Sequence, residues 1–278
     1  MNEKTTKASM TSMGVAILRA VHQLVDHNPK VLEDPVIVKL LDTHITERIM
    51  EHPAVYQSLP AVKLRSHVLL RSRYAEDCLQ RAYDRGIRQY LILGAGLDTF
   101  AYRQGNNTAA LKIFEVDHPA TQAQKISDLH KAGIDIPSNL RFVPIDFESS
   151  TLAIGLQKSD LDFHQPAFIS WLGVTMYLTM DAIDGVFSFV TSLAPGTEIV
   201  FTFAQPQKEP SYFALQSAQA GEPWLSYFTI GELTEKLKSH GFSEISFLSP
   251  DEARSLYFAR RTDGLDNIDK VNIARAIV

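Results

Sequence analysis

Two glycines and an acid define the chemistry open to this chain. Leu91-Ile92-Leu93 runs into Gly94-Ala95-Gly96-Leu97-Asp98-Thr99, and Phe114-Glu115-Val116 later ends in Asp117. An apolar run that stops at Gly-x-Gly, followed about twenty residues on by a second run ending in an acid, is the pattern of a strand–helix–strand unit that holds an adenosine. The glycines let the backbone approach the ligand, and the terminal carboxylate accepts the ribose hydroxyls. Glu115 points to the same side of its strand as Asp117 and is a second candidate for that role. Taken singly, a Gly-x-Gly turn is equally an ordinary strand–helix connection, and an Asp just ahead of Pro119 is equally a helix cap. Asp98 narrows the ligand. A pyrophosphate over this turn would lie at the positive end of the next helix, yet beside a carboxylate that repels it. Thr99 occupies the place of a dinucleotide fingerprint's third glycine. The turn suits a ligand that needs close backbone approach at Gly94, Ala95 and Gly96 and carries positive charge. S-adenosylmethionine, with its sulfonium and α-ammonium groups, meets both requirements.

Five further places could serve such a ligand. Asp146-Phe147 closes a third apolar run and would offer a carboxylate to an exocyclic amine and a ring to a purine; a turn Asp and a core Phe is the plainer alternative. In Trp171-Leu172-Gly173-Val174-Thr175-Met176-Tyr177-Leu178, Gly173 permits close approach and Tyr177 can present a hydroxyl to a substrate, although aromatic residues at such spacing are commonly core. Arg71 lies on the same helical face as Ala75, Cys78 and Leu79, so it points inward and needs an anion, either a ligand carboxylate or a structural acid. Arg103 is a weaker candidate of the same kind, and His118 beside Asp117 could act as a base or simply begin a helix.

The elements that would position these residues alternate. Near-continuous apolar runs at 89–93, 111–116, 140–145, 167–172, 198–203 and 244–248 predict strands covered on both faces. Helical periodicity predicts helices over 12–25, 35–52, 66–85, 97–104, 119–132, 180–193 and 230–240, the last opening on a capping box at Thr229 and Glu232. Arg73, Asp77 and Arg81 form a solvated stripe on the 66–85 helix. The expected fold is α/β: a doubly wound, mostly parallel sheet with right-handed crossovers. Residues 1–278 form one domain, with 1–65 a helical cap, 66–204 the core, 205–228 a lid-like, substrate-binding insertion rich in aromatics, and 229–278 the last part of the sheet. No Pro/Gly/Ser-rich linker separates the cap from the core.

Composition excludes several classes. The chain has 278 residues, 45% of them hydrophobic and 21% charged, which is the balance of a globular domain with an ample core. Its net charge of −5, with no basic cluster, argues against a nucleic-acid partner. A single cysteine, Cys78, rules out an intrachain disulfide and a cysteine-based zinc site, and the nine histidines show no metal-ligand spacing. Arg19 and His22 interrupt the first apolar stretch, so neither a signal peptide nor a membrane span is expected, and the cytoplasm is the expected compartment.

Arg71, Leu93-Gly94-Ala95-Gly96-Leu97-Asp98-Thr99, Tyr102-Arg103, Phe114-Glu115-Val116-Asp117-His118-Pro119, Asp146-Phe147 and Gly173-Val174-Thr175-Met176-Tyr177-Leu178 together resemble the leucine carboxyl methyltransferase family. The resemblance runs from about residue 65 to 205, with a looser echo in Gly221-Glu222-Pro223-Trp224. It implies a class I, Rossmann-like, S-adenosylmethionine-dependent methyltransferase. Arg71 would then contact the methionine carboxylate, Gly94 would lie under the cofactor, Asp117 would hold the ribose, and Asp146 and Phe147 the adenine. Members that methylate a protein phosphatase carry an acid where this chain has Leu172, and their protein substrate does not transfer here. The expected reaction is SN2 methyl transfer to a carboxylate or acidic hydroxyl of a small, apolar or aromatic acceptor. Tyr177 and Arg71 would position the acceptor, with no general base and no metal. A homodimer is compatible with the sequence. The competing readings are an NAD(P)-dependent oxidoreductase, which Asp98 and Thr99 oppose, and a non-catalytic S-adenosylmethionine-binding module.

Overall fold

A computed structural model describes residues 9–104, 110–147, 150–265 and 270–278. Its centre is a seven-stranded sheet of order β3-β2-β1-β4-β5-β7-β6, built from β1 (Gln89–Leu93), β2 (Lys112–Asp117), β3 (Leu140–Pro144), β4 (Phe168–Trp171), β5 (Glu198–Thr202), β6 (Glu244–Phe247) and β7 (Ile273–Ile277). The first five strands are parallel, and β7 runs antiparallel between β5 and β6. The six expected strands are present within a residue or two. β7 is an addition: Ile-Ala-Arg-Ala-Ile offers little alternation, and pairing with β5 and β6 makes it a strand, through pairs such as Val200 and Ser246 with Arg275.

Both faces of the central strands are covered, while the edge strands β3 and β6 keep exposed positions. Strand residues alternate sides, so Tyr90 and Ile92 pack with Leu70, Ala75, Cys78 and Leu79 of α4 (Leu59–Asp84). Leu91 and Leu93 face the other way, into a layer with Trp171, Phe201 and residues of α8 (Met180–Thr191) and α10 (Ile230–Ser239). α4 starts seven residues earlier than the periodicity suggests. Arg65, in this earlier part, and Ser66 are both buried, and the Arg65 guanidinium is bonded bidentately to Asp26 at 2.8 and 2.9 Å. The Arg73–Asp77 pair of the surface stripe forms at 2.9 Å, whereas Arg81 turns to the Cys78 thiol.

The cap consists of α1 (Met10–Leu24), α2 (Pro35–Leu40), α3 (Thr43–Glu51) and a short 3-10 turn before α4. The helical stretch expected over 35–52 is present as two helices, because the Asp42 side chain caps a new one at His44 N. Ala16, Ala20, Val21, Ile37 and Ile49 pack together and against Leu129 of α6 (Pro119–Lys131). Two short helices, α5 (Phe100–Arg103) and α7 (Leu152–Leu156), follow β1 and β3. The 205–228 segment contains α9 (Tyr212–Gln219), and α11 (Pro250–Ala253) leads into one π turn before β7. Among the described residues no helix is long and apolar enough to cross a membrane.

The chain builds β1, β2 and β3 outward in one direction, then returns to add β4 and β5 on the other side of β1. The crevice beyond the carboxyl ends of β1 and β4 is therefore the place where such a sheet binds a ligand.

Candidate cofactor cleft

A cleft of about 500 Å³ opens at that switch point. Gly94 to Asp98 after β1, Asp117 and His118 after β2, Asp146 and Phe147 after β3, and Leu172 to Val174 after β4 all line it, together with Arg71, Tyr177, Arg19 and Glu222. Ten of the eleven site residues expected from the sequence thus meet in one cavity although they come from five elements.

The turn after β1 is tight. Gly94 and Gly96 have φ of +66° and +48°. A Cβ on Gly94 would collide with Val174, and one on Gly96 with Ser12 of α1. Where the amides of this turn point decides what it can bind. Gly94 N and Ala95 N both donate to Val116 O, at 2.8 and 3.2 Å, and Gly96 N donates to Asp117 Oδ2. Leu97 N donates to Ser12 Oγ at 3.1 Å, and Asp98 N to Ala95 O at 2.8 Å. Every amide from 94 to 98 is taken, so the turn offers no nest of N–H groups to a phosphate. The Asp98 carboxylate, which accepts Phe100 N–H at 2.7 Å, adds negative charge beside it.

Asp117 holds the end of β2 against the turn. Its two oxygens accept Gly96 N–H and His118 N–H, and burial raises its pKa against the pull of those two donors. Each oxygen keeps a lone pair for a ribose hydroxyl. The His118 ring caps α6 by accepting Ala120 N–H at 3.2 Å.

Glu115 does not reach the cleft. It is 1% exposed and pairs with Lys125 of α6 at 2.6 Å, while its other oxygen has no partner among the described residues. Burial pushes its carboxyl up to about 7 in spite of Lys125. The expectation that it binds a ligand is corrected accordingly: a helix covers that part of the strand, and its ammonium takes the acid. Arg103 is likewise occupied, by Glu76, Thr99 and Asp34.

Arg71 behaves differently. Among the described residues no carboxylate pairs with it, and its Nε is buried without a hydrogen-bond partner. Its guanidinium lies against Gly173, whose φ is +77°; a Cβ there would be 2.5 Å from Nη1. Gly173 is pinned in turn by Thr202 of β5, whose hydroxyl accepts Gly173 N–H at 2.7 Å. Burial, with Arg19 nearby, lowers the Arg71 pKa to about 10 against the opposing influence of Tyr177.

Sequence reasoning missed Arg19, which it read only as a break in an apolar stretch. The side chain is 4% exposed and is tied to Asp34 at 2.5 Å and to the Thr99 hydroxyl at 2.7 Å, yet its Nε also has no partner among the described residues. Two guanidiniums lining one cleft, each with an unused buried N–H, are made for a carboxylate. The amino-acid end of S-adenosylmethionine carries one, and the closed turn with Asp117 matches its adenosine half, so the residues present fit that cofactor.

Comparison with known proteins gives the family and the fold. The family model described as leucine carboxyl methyltransferase matches residues 12–191. The protein YktD of Bacillus subtilis (strain 168), named for S-adenosyl-L-methionine-dependent methyl transfer, is 31% identical over 99% of both chains. A similarly named protein of Mycolicibacterium gilvum is 29% identical over 72% of this chain and 58% of its own. Among solved structures, a DUF574 family protein from Streptomyces avermitilis superposes with a TM-score of 0.58 at 15% identity, covering 99% of this chain and 98% of that one. A protein from Thermobifida fusca YX does so at 0.57 and 17%, over 99% and 96%. At these identities the structural likeness speaks to the fold.

Proposed function

Because this chain belongs to the leucine carboxyl methyltransferase family and is an S-adenosylmethionine-dependent methyltransferase, we propose that it methylates oxygen, namely the carboxylate or acidic hydroxyl of a small apolar molecule. The observation that carries this reading is the chemistry facing the cleft. Bound S-adenosylmethionine supplies a methyl group already activated by its sulfonium, so the protein has to align the partners and exclude water. Among the described residues that line the cleft, the one imidazole, His118, is not free to act as a general base. The His118 ring is used on Ala120 N–H, Asp117 on two amides and Asp98 on Phe100 N–H. A carboxylate acceptor needs no base at neutral pH, whereas an alcohol does.

In this reading Arg71 and Arg19 hold the methionine carboxylate, Gly94 and Ala95 support the cofactor from below, and Asp117 takes the ribose hydroxyls. Asp146 and Phe147 face the adenine. Tyr177, whose hydroxyl lies 3.3 Å from Ser217 of α9, is the polar group on the acceptor side. Val15, Leu178, Pro223 and Leu225 make the remaining wall apolar, which favours an apolar or aromatic acceptor.

The test is a screen with labelled S-adenosylmethionine over paired carboxylic acids and phenols. Products are then treated with mild base, which cleaves methyl esters and leaves ethers. Base-labile label from the acids is the expected result. Label found only in base-stable ethers would refute the carboxylate preference, and transfer to nitrogen or carbon alone would refute oxygen altogether.

A further inference from the structure

The segment after α9 is strapped over the cleft by its backbone. Leu225 N and Ser226 N donate to Met176 O at 2.6 and 3.3 Å, the Ser226 hydroxyl donates to Leu178 O, and Phe228 N donates to Ala204 O at 2.8 Å. This strap carries Glu222 to the cleft wall opposite α1. There, Glu222 Oε2 accepts both the backbone N–H of Thr11, at 3.1 Å, and the Thr11 hydroxyl. Both donors fall on one oxygen. Oε1 has no partner among the described residues.

The cleft has an unbalanced need for such a group. Its cofactor is a zwitterion at the amino-acid end and bears a sulfonium as well. Arg71 and Arg19 answer the carboxylate but repel the α-ammonium. Asp117 is given to the glycine turn and the ribose, Asp98 lies in the turn after β1 with Oδ1 on Phe100 N–H, and Leu172 and Gly173 beyond β4 bring no charge. A carboxylate fixed through one oxygen and open at the other is a preorganised acceptor for an ammonium N–H. Pairing it with the sulfonium instead would favour the charged ground state over the transition state, in which that charge is fading.

We propose that Glu222 is the acceptor of the cofactor's α-ammonium group and that Thr11 is the positioning residue that holds it in place. The inference rests on the cofactor site described above. It makes the strap part of the cofactor site as well as the wall of the acceptor site, and it links α1 to the strap through the same carboxylate.

The experiment is calorimetric titration of wild type, Glu222→Gln and Thr11→Val with S-adenosylmethionine, S-adenosylhomocysteine and 5′-methylthioadenosine. The last has the adenosine and sulfur but no amino-acid end. Glu222→Gln should bind the first two about tenfold more weakly, as expected for a lost charge-assisted hydrogen bond. It should bind 5′-methylthioadenosine as wild type does, which also shows that the variant is folded. Thr11→Val, which keeps the carboxylate, should show a smaller loss of the same pattern. Unchanged binding of S-adenosylhomocysteine by Glu222→Gln overturns the proposal. So does an equal loss for 5′-methylthioadenosine, which would make the residue structural, or a loss confined to S-adenosylmethionine, which would assign it to the sulfonium. Wild type binding none of the three would refute the cofactor site itself.

Discussion

Gly173→Ala tests whether the Arg71 guanidinium is placed for a ligand. The alanine Cβ would lie 2.5 Å from Nη1, 2.8 Å from Nη2 and 2.9 Å from Cζ of Arg71. Ordinary contact is about 3.5 Å, so the guanidinium must retreat by roughly 1 Å. That is enough to spoil a bidentate carboxylate contact, because hydrogen bonds fail over such a displacement. Hydrogen bonds to charged groups contribute about 1.5–3 kcal/mol, so the loss corresponds to roughly 10- to 100-fold in affinity. A left-handed backbone at a non-glycine residue costs about 1 kcal/mol or somewhat more, which in a chain of this size lowers Tm by about 2–4 °C. Calorimetry with S-adenosylhomocysteine and a thermal melt read the two effects separately. Adding Arg71→Ala should bring little further loss, because both changes remove one interaction. If Gly173→Ala binds S-adenosylhomocysteine within about twofold of wild type, inside the scatter of a neutral change, then Arg71 does not hold the ligand from beneath Gly173 and the reasoning fails.

Other outcomes are as definite. Asp117→Ala removes two ribose acceptors and strands the Gly96 and His118 amides, so S-adenosylhomocysteine affinity measured by calorimetry should fall roughly 10- to 100-fold. Glu115→Leu should leave that affinity unchanged but strand the buried Lys125 ammonium at a cost of about 3–5 kcal/mol, read as a lower urea midpoint. Glu115 also predicts a pH dependence. Its folded pKa, about 7, exceeds the ordinary 4.5, so the folded state holds a proton that the unfolded state releases. Its contribution to stability therefore declines as pH rises from 4.5 to about 7 and is flat above. Urea titrations across that window should show the decline in wild type and a shallower one in Glu115→Gln; an identical slope in both would refute it. NADH should give no saturable heat, since the turn after β1 has no amide left for a pyrophosphate; saturable binding would refute that account of the turn.

Much of this protein is decided by local pattern. The apolar runs that became β1, β4 and β5 need no partner to be recognised, because a strand covered on both faces is near-continuously apolar. The inward aim of Arg71 follows from helical periodicity alone. The turn at Gly94 to Gly96 and the acid at Asp117 could be read because their spacing is that of one strand–helix–strand unit. Tertiary structure decided which polar group meets which. Glu115 and Asp117 share one side of one strand, yet Lys125 takes the first and the amide of Gly96 the second. Nothing in the periodicity of β2 says which helix will cover which residue. Arg19 and Glu222 lie 52 residues before and 151 residues after Arg71, and β7 is a strand through its pairing with β5 and β6. Long-range pairing is set by how the layers stack, and a one-dimensional pattern carries the period of each layer but not the partner laid upon it.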